Sequence, residues 1–375
     1  MFISNIKLRN FLSFGPDAQE LELKPLNVLI GPNGSGKSNL VELIGLLKAV
    51  PGDLADPLLR GAPPNEWLWR GEPKAHLAEV EIVVAGPAGR GPLRYRLAIE
   101  LDPGTFRIAE ERLEDVASEG RRVHLQSNGT TSYVGLRQVA YDFQKSVLAN
   151  FKHPDYPELA YMSDELPRVA LFRDCAFGRD SPARQPQKTD LPNSFLLEDA
   201  SNLGLVLNQY MREYDARQQL VRALRTFYEG LEDYHVDIQY GTVQTFVREG
   251  KLSISATRLS DGTLRYLRLL TVLCHPNPPP LICLEEPELG MHPDILPTIV
   301  ELLRSASERC QLIVTTHSDV IVDGLTDSPE SVVVCEKHDG ATRLKRLDAD
   351  ELSHWLQNYR LGDLWSSGEL GGNRW

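Results

Sequence analysis

The stretch Gly31-Pro32-Asn33-Gly34-Ser35-Gly36-Lys37-Ser38 constrains this chain more than any other. It fits the pattern G-x-x-x-x-G-K-[ST] at every fixed position. The apolar run Leu26–Ile30 precedes it, and Ser38–Leu47 follows with apolar residues at helical spacing. The context therefore predicts strand, tight loop, helix. Glycines in such a loop let successive backbone N–H groups turn inward around a phosphate. The helix N-terminus adds partial positive charge. Lys37 is expected to reach the β- and γ-phosphates, and Ser38 to ligate Mg²⁺. Gly31, Pro32, Asn33, Gly34, Ser35, Gly36, Lys37, Ser38 and Asn39 form the expected binding set for a nucleoside triphosphate. The bland alternative is a glycine-rich turn that binds nothing; the intact pattern in its strand–helix setting argues against it.

The chain has 375 residues, enough for one large domain or two ordinary ones. Its net charge of -12 argues against a broadly basic nucleic-acid surface, although a local basic groove remains compatible with that average. No apolar run approaches membrane-spanning length, and the alternating start Met1–Arg9 does not look like a signal peptide. Cys175, Cys274, Cys283, Cys310 and Cys335 make no C-x-x-C pair. Buried, reduced thiols are expected, which fits the cytoplasm, and no zinc site is expected.

Strands are predicted at Ile3–Arg9 and across 21–30. A Pro/Gly-rich connection covers 51–73. Alternating segments at 78–84, 93–101, 106–113 and 121–126 read as an antiparallel meander. Residues 140–202 mix short helical pieces with proline. One long helix is expected over 203–229, with Leu203, Leu207, Tyr210, Met211, Tyr214, Leu220, Leu224 and Phe227 on its buried stripe. Short strands follow near 236–240, 243–248 and 251–255. No repeat and no sustained heptads occur, and a helix of that length is far too short for a long coiled coil.

Residues 259–318 add four elements in order. Leu259-Ser260-Asp261-Gly262-Thr263 opens an apolar helix over 264–273. Leu281-Ile282-Cys283-Leu284 reads as a buried strand ending in Glu285-Glu286-Pro287-Glu288. Leu289-Gly290-Met291-His292-Pro293 is a turn into a helix. Gln311–Thr316 is another buried strand, ending at His317-Ser318. In a parallel sheet the strand C-termini collect at one edge, where ligands bind. That rule would gather Lys37, Glu285, Glu286 and His317 around one phosphate site. One carboxylate would hold the Mg²⁺ shell, a second would polarise the attacking water, and a histidine would contact the γ-phosphate.

Here the residues resemble a family. Walker A, an L-S-x-G signature, paired Walker B acids, a D-loop and a switch histidine together resemble the ABC-type ATPase fold. The resemblance is to its RecF/SMC-like and OLD-like branch of AAA family ATPases. Its marks are Ile3-x-x-Ile6-x-Leu8-x-Asn10-Phe11-x-Ser13-Phe14, Glu285-Glu286-Pro287-Glu288 and Thr316-His317-Ser318. The closest likeness is to stand-alone predicted ATPases. It extends through Ser181–Gln187 to Leu361-Gly362-Asp363-Leu364-Trp365. The implied fold is α/β: a P-loop ABC-ATPase head with a mixed or parallel core sheet, an antiparallel β-lobe and a helical lobe. The whole chain reads as one head. It has an N-terminal lobe over 1–140, a helical lobe over 141–256, a signature-to-switch lobe over 257–345 and a tail over 346–375.

In such ATPases two heads sandwich two ATP molecules. Carried over, Ser260 and Gly262 would act on the partner's nucleotide, Glu286 would be the catalytic base, Glu285 would serve Mg²⁺ and His317 would be the switch. The signature departs from the usual pattern in carrying Asp261 where many members have glycine. Walker B departs in carrying Glu285 in place of the usual Asp. A glutamine loop is implied between the lobes, with Gln144 as the candidate metal ligand.

Each motif has a bland reading. Ser260 alone would be a helix N-cap. Glu285-Glu286 alone would start a helix, and His317 alone would be a core histidine. Their order after the phosphate loop favours the catalytic reading. His292 is either near a dimer interface or a cap for the helix after it. Trp67, Trp69 and Arg70 read as packing or a partner contact before base stacking. Arg121-Arg122 and Arg343–Arg346 read as solvated edges, and Trp355, Trp365 and Trp375 as docking residues of the tail.

Two functions from different classes remain. The first is an ATP-hydrolysing switch, a homodimer with room for higher assembly, acting on DNA or a co-encoded partner in repair or anti-phage defence. The second is a nucleotide-gated scaffold with little hydrolysis. With 50 residues after Leu325, no appended nuclease or zinc hook is expected. A transporter subunit fits the start of the chain poorly, and a kinase or GTPase would not need the signature or the switch histidine.

Overall fold

A computed structural model describes residues 1–60, 63–71, 74–116, 122–140, 142–151, 153–173 and 178–372. Arg121, Cys175 and Trp375 lie outside them. The chain forms two compact units: Met1–Val169 with Ser328–Trp375, and Ala170–Asp327. The architecture is mixed α/β, as expected. No helix among the described residues is long and apolar enough to cross a membrane.

In the first unit an eight-stranded antiparallel sheet runs in the spatial order Gln19–Glu22, Ile3–Arg9, Leu77–Val84, Leu93–Asp102, Thr105–Asp115, Val123–Ser127, Ser132–Val134, Arg137–Val139. Leu77–Val84 alternates strictly between buried and half-buried positions, the signature of a strand with one face on the core. This is the expected meander. The strand expected across 21–30 is instead two. Gln19–Glu22 belongs to the antiparallel sheet, whereas Leu26–Ile30 is buried at all five positions and lies parallel to Val332–His338. Pro25 cannot donate to a ladder. The Asn27 side chain fixes the turn, accepting from the Lys24 amide at 2.9 Å and donating to its carbonyl at 2.6 Å. Val332–His338 pairs on antiparallel with Ala341–Arg346.

In the second unit three parallel strands lie side by side: Ala170–Phe172, Leu281–Glu285 and Gln311–Thr315. A separate antiparallel group holds Leu231–Gln239, Thr242–Glu249 and Leu252–Ser255. The helices Leu203–Tyr210 and Tyr214–Arg225 replace the single long helix expected. At about 100° per residue a straight helix puts Leu220 roughly 100° around the axis from Leu203. The break at Glu213 (φ -112°, ψ 88°) lets both bury completely and leaves Met211 and Tyr214 exposed.

The other marginal features resolve into packing. Trp67 and Trp69 are buried, with Trp67 edge-on to Phe11, so neither ring face is open to a base. Arg343 pairs with Asp17, and Arg346 donates to the Glu22 and Glu330 carbonyls and to Asn27 Oδ1. Trp365 is buried in the first unit, whereas Trp355 is largely exposed. His292 caps the short turn Pro293–Ile295, its Nδ1 accepting from the Asp294 amide.

Candidate active site

The phosphate loop lies in the first unit between Leu26–Ile30 and the helix Lys37–Ala49. Gly31 has φ +144°, and an added Cβ would meet the Cys335 carbonyl oxygen at 2.2 Å. Gly36 has φ +105°, and its Cβ would meet Thr342 Oγ1 at 2.2 Å and Ser13 Oγ at 2.7 Å. Both glycines are thus required by backbone conformation and by close approach. Lys37 is buried and folds back, Nζ donating to the Gly31 carbonyl at 2.7 Å and the Pro32 carbonyl at 3.1 Å. Ser38 is exposed, as are Asn33 and Gly34.

A brace under this loop escaped the sequence reading. Thr342 Oγ1 lies 2.8 Å from the Ser35 carbonyl oxygen and 2.7 Å from Ser13 Oγ, and the Thr342 amide donates to the Ser13 carbonyl at 2.7 Å. Asn39 Nδ2 donates to Ser13 Oγ at 2.7 Å. The only signal available was Ser13 in the opening motif; a threonine 329 positions downstream gives none. The tail reaches the same region. The Gly372 amide donates to Glu336 Oε1 at 2.6 Å and holds that carboxyl below its usual range. A Cβ on Gly372 would lie 3.3 Å from Gly31 Cα.

The acids, the signature and the histidine lie in the second unit. Glu285 ends its strand opposite Thr315. Glu286 has φ +44°, a left-handed conformation uncommon outside glycine, which holds its side chain at a sharp turn. Its amide donates to the Thr315 carbonyl at 2.9 Å and lies 3.2 Å from Thr315 Oγ1. Glu286 Oε1 is 3.5 Å from His317 Nε2, and both side chains are about one-third exposed. Glu288 turns inward, Oε1 accepting from Thr316 Oγ1 at 2.5 Å and from the His317 amide at 2.9 Å. Burial pushes its carboxyl up, against the opposing effect of these donors.

Ser260 caps the helix Asp261–Leu273, its Oγ accepting from the Thr263 amide at 3.0 Å. An added Cβ on Gly262 would meet the Gly290 carbonyl oxygen at 3.0 Å, so signature and D-loop touch within one chain. Arg184 donates to Asp261 and to the Leu259 carbonyl. Arg173, just past Ala170–Phe172, brings Nε 3.5 Å from Glu285 Oε1. A cleft among Arg173, Arg265, Arg268, Glu285, Glu286 and Met291 opens there. Gln144 lies in the first unit, Nε2 donating to the Phe106 carbonyl at 3.3 Å. Its metal role rests on the resemblance alone.

Two family models match the sequence. One, described as "AAA ATPase domain", covers residues 1–57. The other, described as "AAA domain, putative AbiEii toxin, Type IV TA system", covers residues 142–323. The first contains the phosphate loop; the second contains the signature, the paired acids and His317. Both segments are thus similar to AAA-family ATPase domains. Solved Smc head structures share the fold. The SmcHead bound to the C-winged helix domain of ScpA matches with TM-score 0.63 and 16% identity, over 94% of this chain and 100% of that one. The Smc head domain with an extended coiled coil from Pyrococcus furiosus, bound to the C-terminal domain of ScpA, matches with TM-score 0.62 and 14% identity, over 95% and 98%. Chromosome partition protein Smc of Desulfitobacterium hafniense (strain Y51) is 34% identical over 103 residues, 26% of this chain but only 8% of that protein. The chain shows no long coiled coil among its described residues; the longest helices there, Lys37–Ala49 and Asp261–Leu273, have 13 residues each.

Proposed function

We propose that the chain is an ATP-hydrolysing switch in which ATP closes two copies on each other and hydrolysis lets them part. Lys37 and the amides of 31–38 hold the phosphates, and Ser260 and Gly262 engage the nucleotide of the second copy. Glu286 accepts a proton from the attacking water, and His317 contacts the γ-phosphate. The observation that carries the reading is Glu286 fixed at positive φ, 3.5 Å from His317, in a chain with an intact phosphate loop.

The donors fit a magnesium nucleotide. Ser38 is exposed for a metal, Glu285 offers a carboxylate, and Ser35 Oγ is buried with no hydrogen-bond partner among the described residues. Gln144 is proposed as a further ligand. Bound Mg²⁺ would neutralise charge on the phosphate oxygens.

The motion is proposed to act on a co-encoded partner protein or on DNA. Protein is the better supported of the two, because the net charge is -12 and Arg343 and Arg346 are engaged internally. The Smc head neighbours are seen with ScpA, which supports a protein partner. The AbiEii wording of the matched family supports a defence role over repair.

The test is phosphate release and particle mass, with and without duplex DNA, for the wild type and Glu286→Gln. The expected result is slow turnover in the wild type, none in the variant, and an ATP-trapped dimer of the variant. Equal turnover in the two proteins would sink the assignment. No release under any condition would instead favour the nucleotide-gated scaffold.

A further inference from the structure

We infer that Glu288 is the positioning residue that sets His317 against Glu286; this rests on the ATPase reading above. The turn Glu286-Pro287-Glu288-Leu289 is pinned at both ends to the end of one neighbouring strand. At one end, the Glu286 amide donates to the Thr315 carbonyl at 2.9 Å. At the other, Glu288 Oε1 takes the Thr316 hydroxyl at 2.5 Å and the His317 amide at 2.9 Å. The turn is closed on itself by the Leu289 amide donating to the Glu286 carbonyl at 3.0 Å. Bonds to three consecutive residues, Thr315, Thr316 and His317, thus fix the 3.5 Å between Glu286 Oε1 and His317 Nε2.

A carboxylate is an expensive choice for this task. Glu288 is mostly buried, and its Oε2 has no hydrogen-bond partner among the described residues. Leaving a buried charged oxygen unpaired is unfavourable. In return, charge-assisted bonds are roughly twice as strong as neutral ones. They hold the segment that leaves the sheet at Thr316, where the Ser318 amide donates to Thr316 Oγ1 at 3.0 Å and Ser318 Oγ caps Asp319–Asp323. The burial is explained if the relative position of two reacting side chains depends on it.

The experiment compares Glu288→Ala and Glu288→Gln by ATPase kinetics, by affinity for a fluorescent ATP analogue, and by hydrogen exchange at residues 316–318. Glutamine keeps one oxygen to accept both donors and places its amide where Oε2 stands. The alanine variant is expected to lose on the order of 10- to 100-fold in kcat, the scale of a small misplacement of reacting groups, with affinity nearly unchanged and faster exchange. The glutamine variant keeps the acceptor but loses the charge assistance, so it is expected to fall between wild type and the alanine variant, closer to wild type. Unchanged kcat in Glu288→Ala overturns the inference, as does a Glu288→Gln variant as slow as the alanine variant. If Glu288→Ala does not fold, Thr316→Val serves instead, since it removes one donor and should give a smaller loss of kcat. An inactive wild type overturns the ATPase reading and this inference with it. An active wild type with an equally active Glu288→Ala overturns the inference alone.

Discussion

Arg173 places its guanidinium Nε 3.5 Å from Glu285 Oε1. The register explains the meeting: Phe172 pairs with Leu284 on adjacent parallel strands, so the next residues, Arg173 and Glu285, lie side by side. A cation therefore stands beside the carboxylate proposed for the metal. Arg173→Ala should lower the Mg²⁺ concentration needed for nucleotide binding. Arg173 is about half exposed, so the pair's worth is about 1 kcal/mol at most, or roughly fivefold. Titrating affinity for a fluorescent ATP analogue against free Mg²⁺ checks this; an unchanged or weaker Mg²⁺ dependence would refute it.

Arg184 resolves the departure at Asp261. Its guanidinium is nearly buried, binds the Asp261 carboxylate and reaches the Leu259, Ala256 and Thr257 carbonyls. A phosphate arriving at the start of this helix would thus meet a neutralised pair. Arg184→Ala should destabilise the protein by about 1–2 kcal/mol and weaken ATP-dependent dimerisation. Adding Asp261→Gly should restore dimerisation in part, since it removes the uncompensated charge, but not the lost stability. Chemical denaturation and particle mass of the two single variants and the double read the coupling. A double variant that dimerises no better than Arg184→Ala would contradict the charge argument.

The parts of the candidate site legible in the sequence are those whose chemistry lies in consecutive residues. Gly31–Ser38, Glu285-Glu286 and His317 each sit where strand, loop and helix periodicity put them. What stayed hidden joins distant segments. Thr342 braces Ser13 and Ser35, and Arg184 braces Asp261, across separations that no local pattern records. Arg173 was missed because Ala170–Phe172 is only three residues long, too short for periodicity to mark as a strand. The helix expected over 203–229 failed for another reason. Two apolar stripes were read as one, and tertiary burial of both halves outweighed helical continuity.

Two glycines of the phosphate loop should respond differently to the same change. Gly34 has φ +77° with nothing within 4 Å of an added Cβ, so Gly34→Ala meets only the left-handed penalty of about 1–2 kcal/mol. Gly36→Ala adds a collision with Thr342 Oγ1, which is tied to Ser13 by its own backbone amide. It should be the more destabilising by at least about 1 kcal/mol, and nucleotide binding should be lost. Denaturation midpoints and ATP-analogue affinity for both variants test the order. Equal effects would mean that the Thr342 brace yields.

The thiols give a prediction that does not depend on catalysis. Cys274, Cys283, Cys310 and Cys335 are all buried. Burial pushes Cys274 and Cys335 up to about 12 and Cys310 up to about 11. A thiol near 12 is about 10⁻⁴ thiolate at pH 8, against roughly a quarter for an ordinary thiol near 8.5, and thiolate is the reactive form. Native protein at pH 8 should therefore leave these four unlabelled by a thiol-specific reagent, while unfolded protein reacts at all five cysteines of the chain. Each raised value lies above that of the unfolded chain, so the native state keeps the proton longer. The thiols' contribution is undiminished below about pH 8 and falls as pH rises through 9, where the unfolded thiols ionise first. Denaturant midpoints from pH 7 to pH 10 should thus decline at the alkaline end, and Cys274→Ala should flatten that decline. Rapid native labelling at Cys274 or Cys335, located by peptide mapping, would show that these side chains are not enclosed.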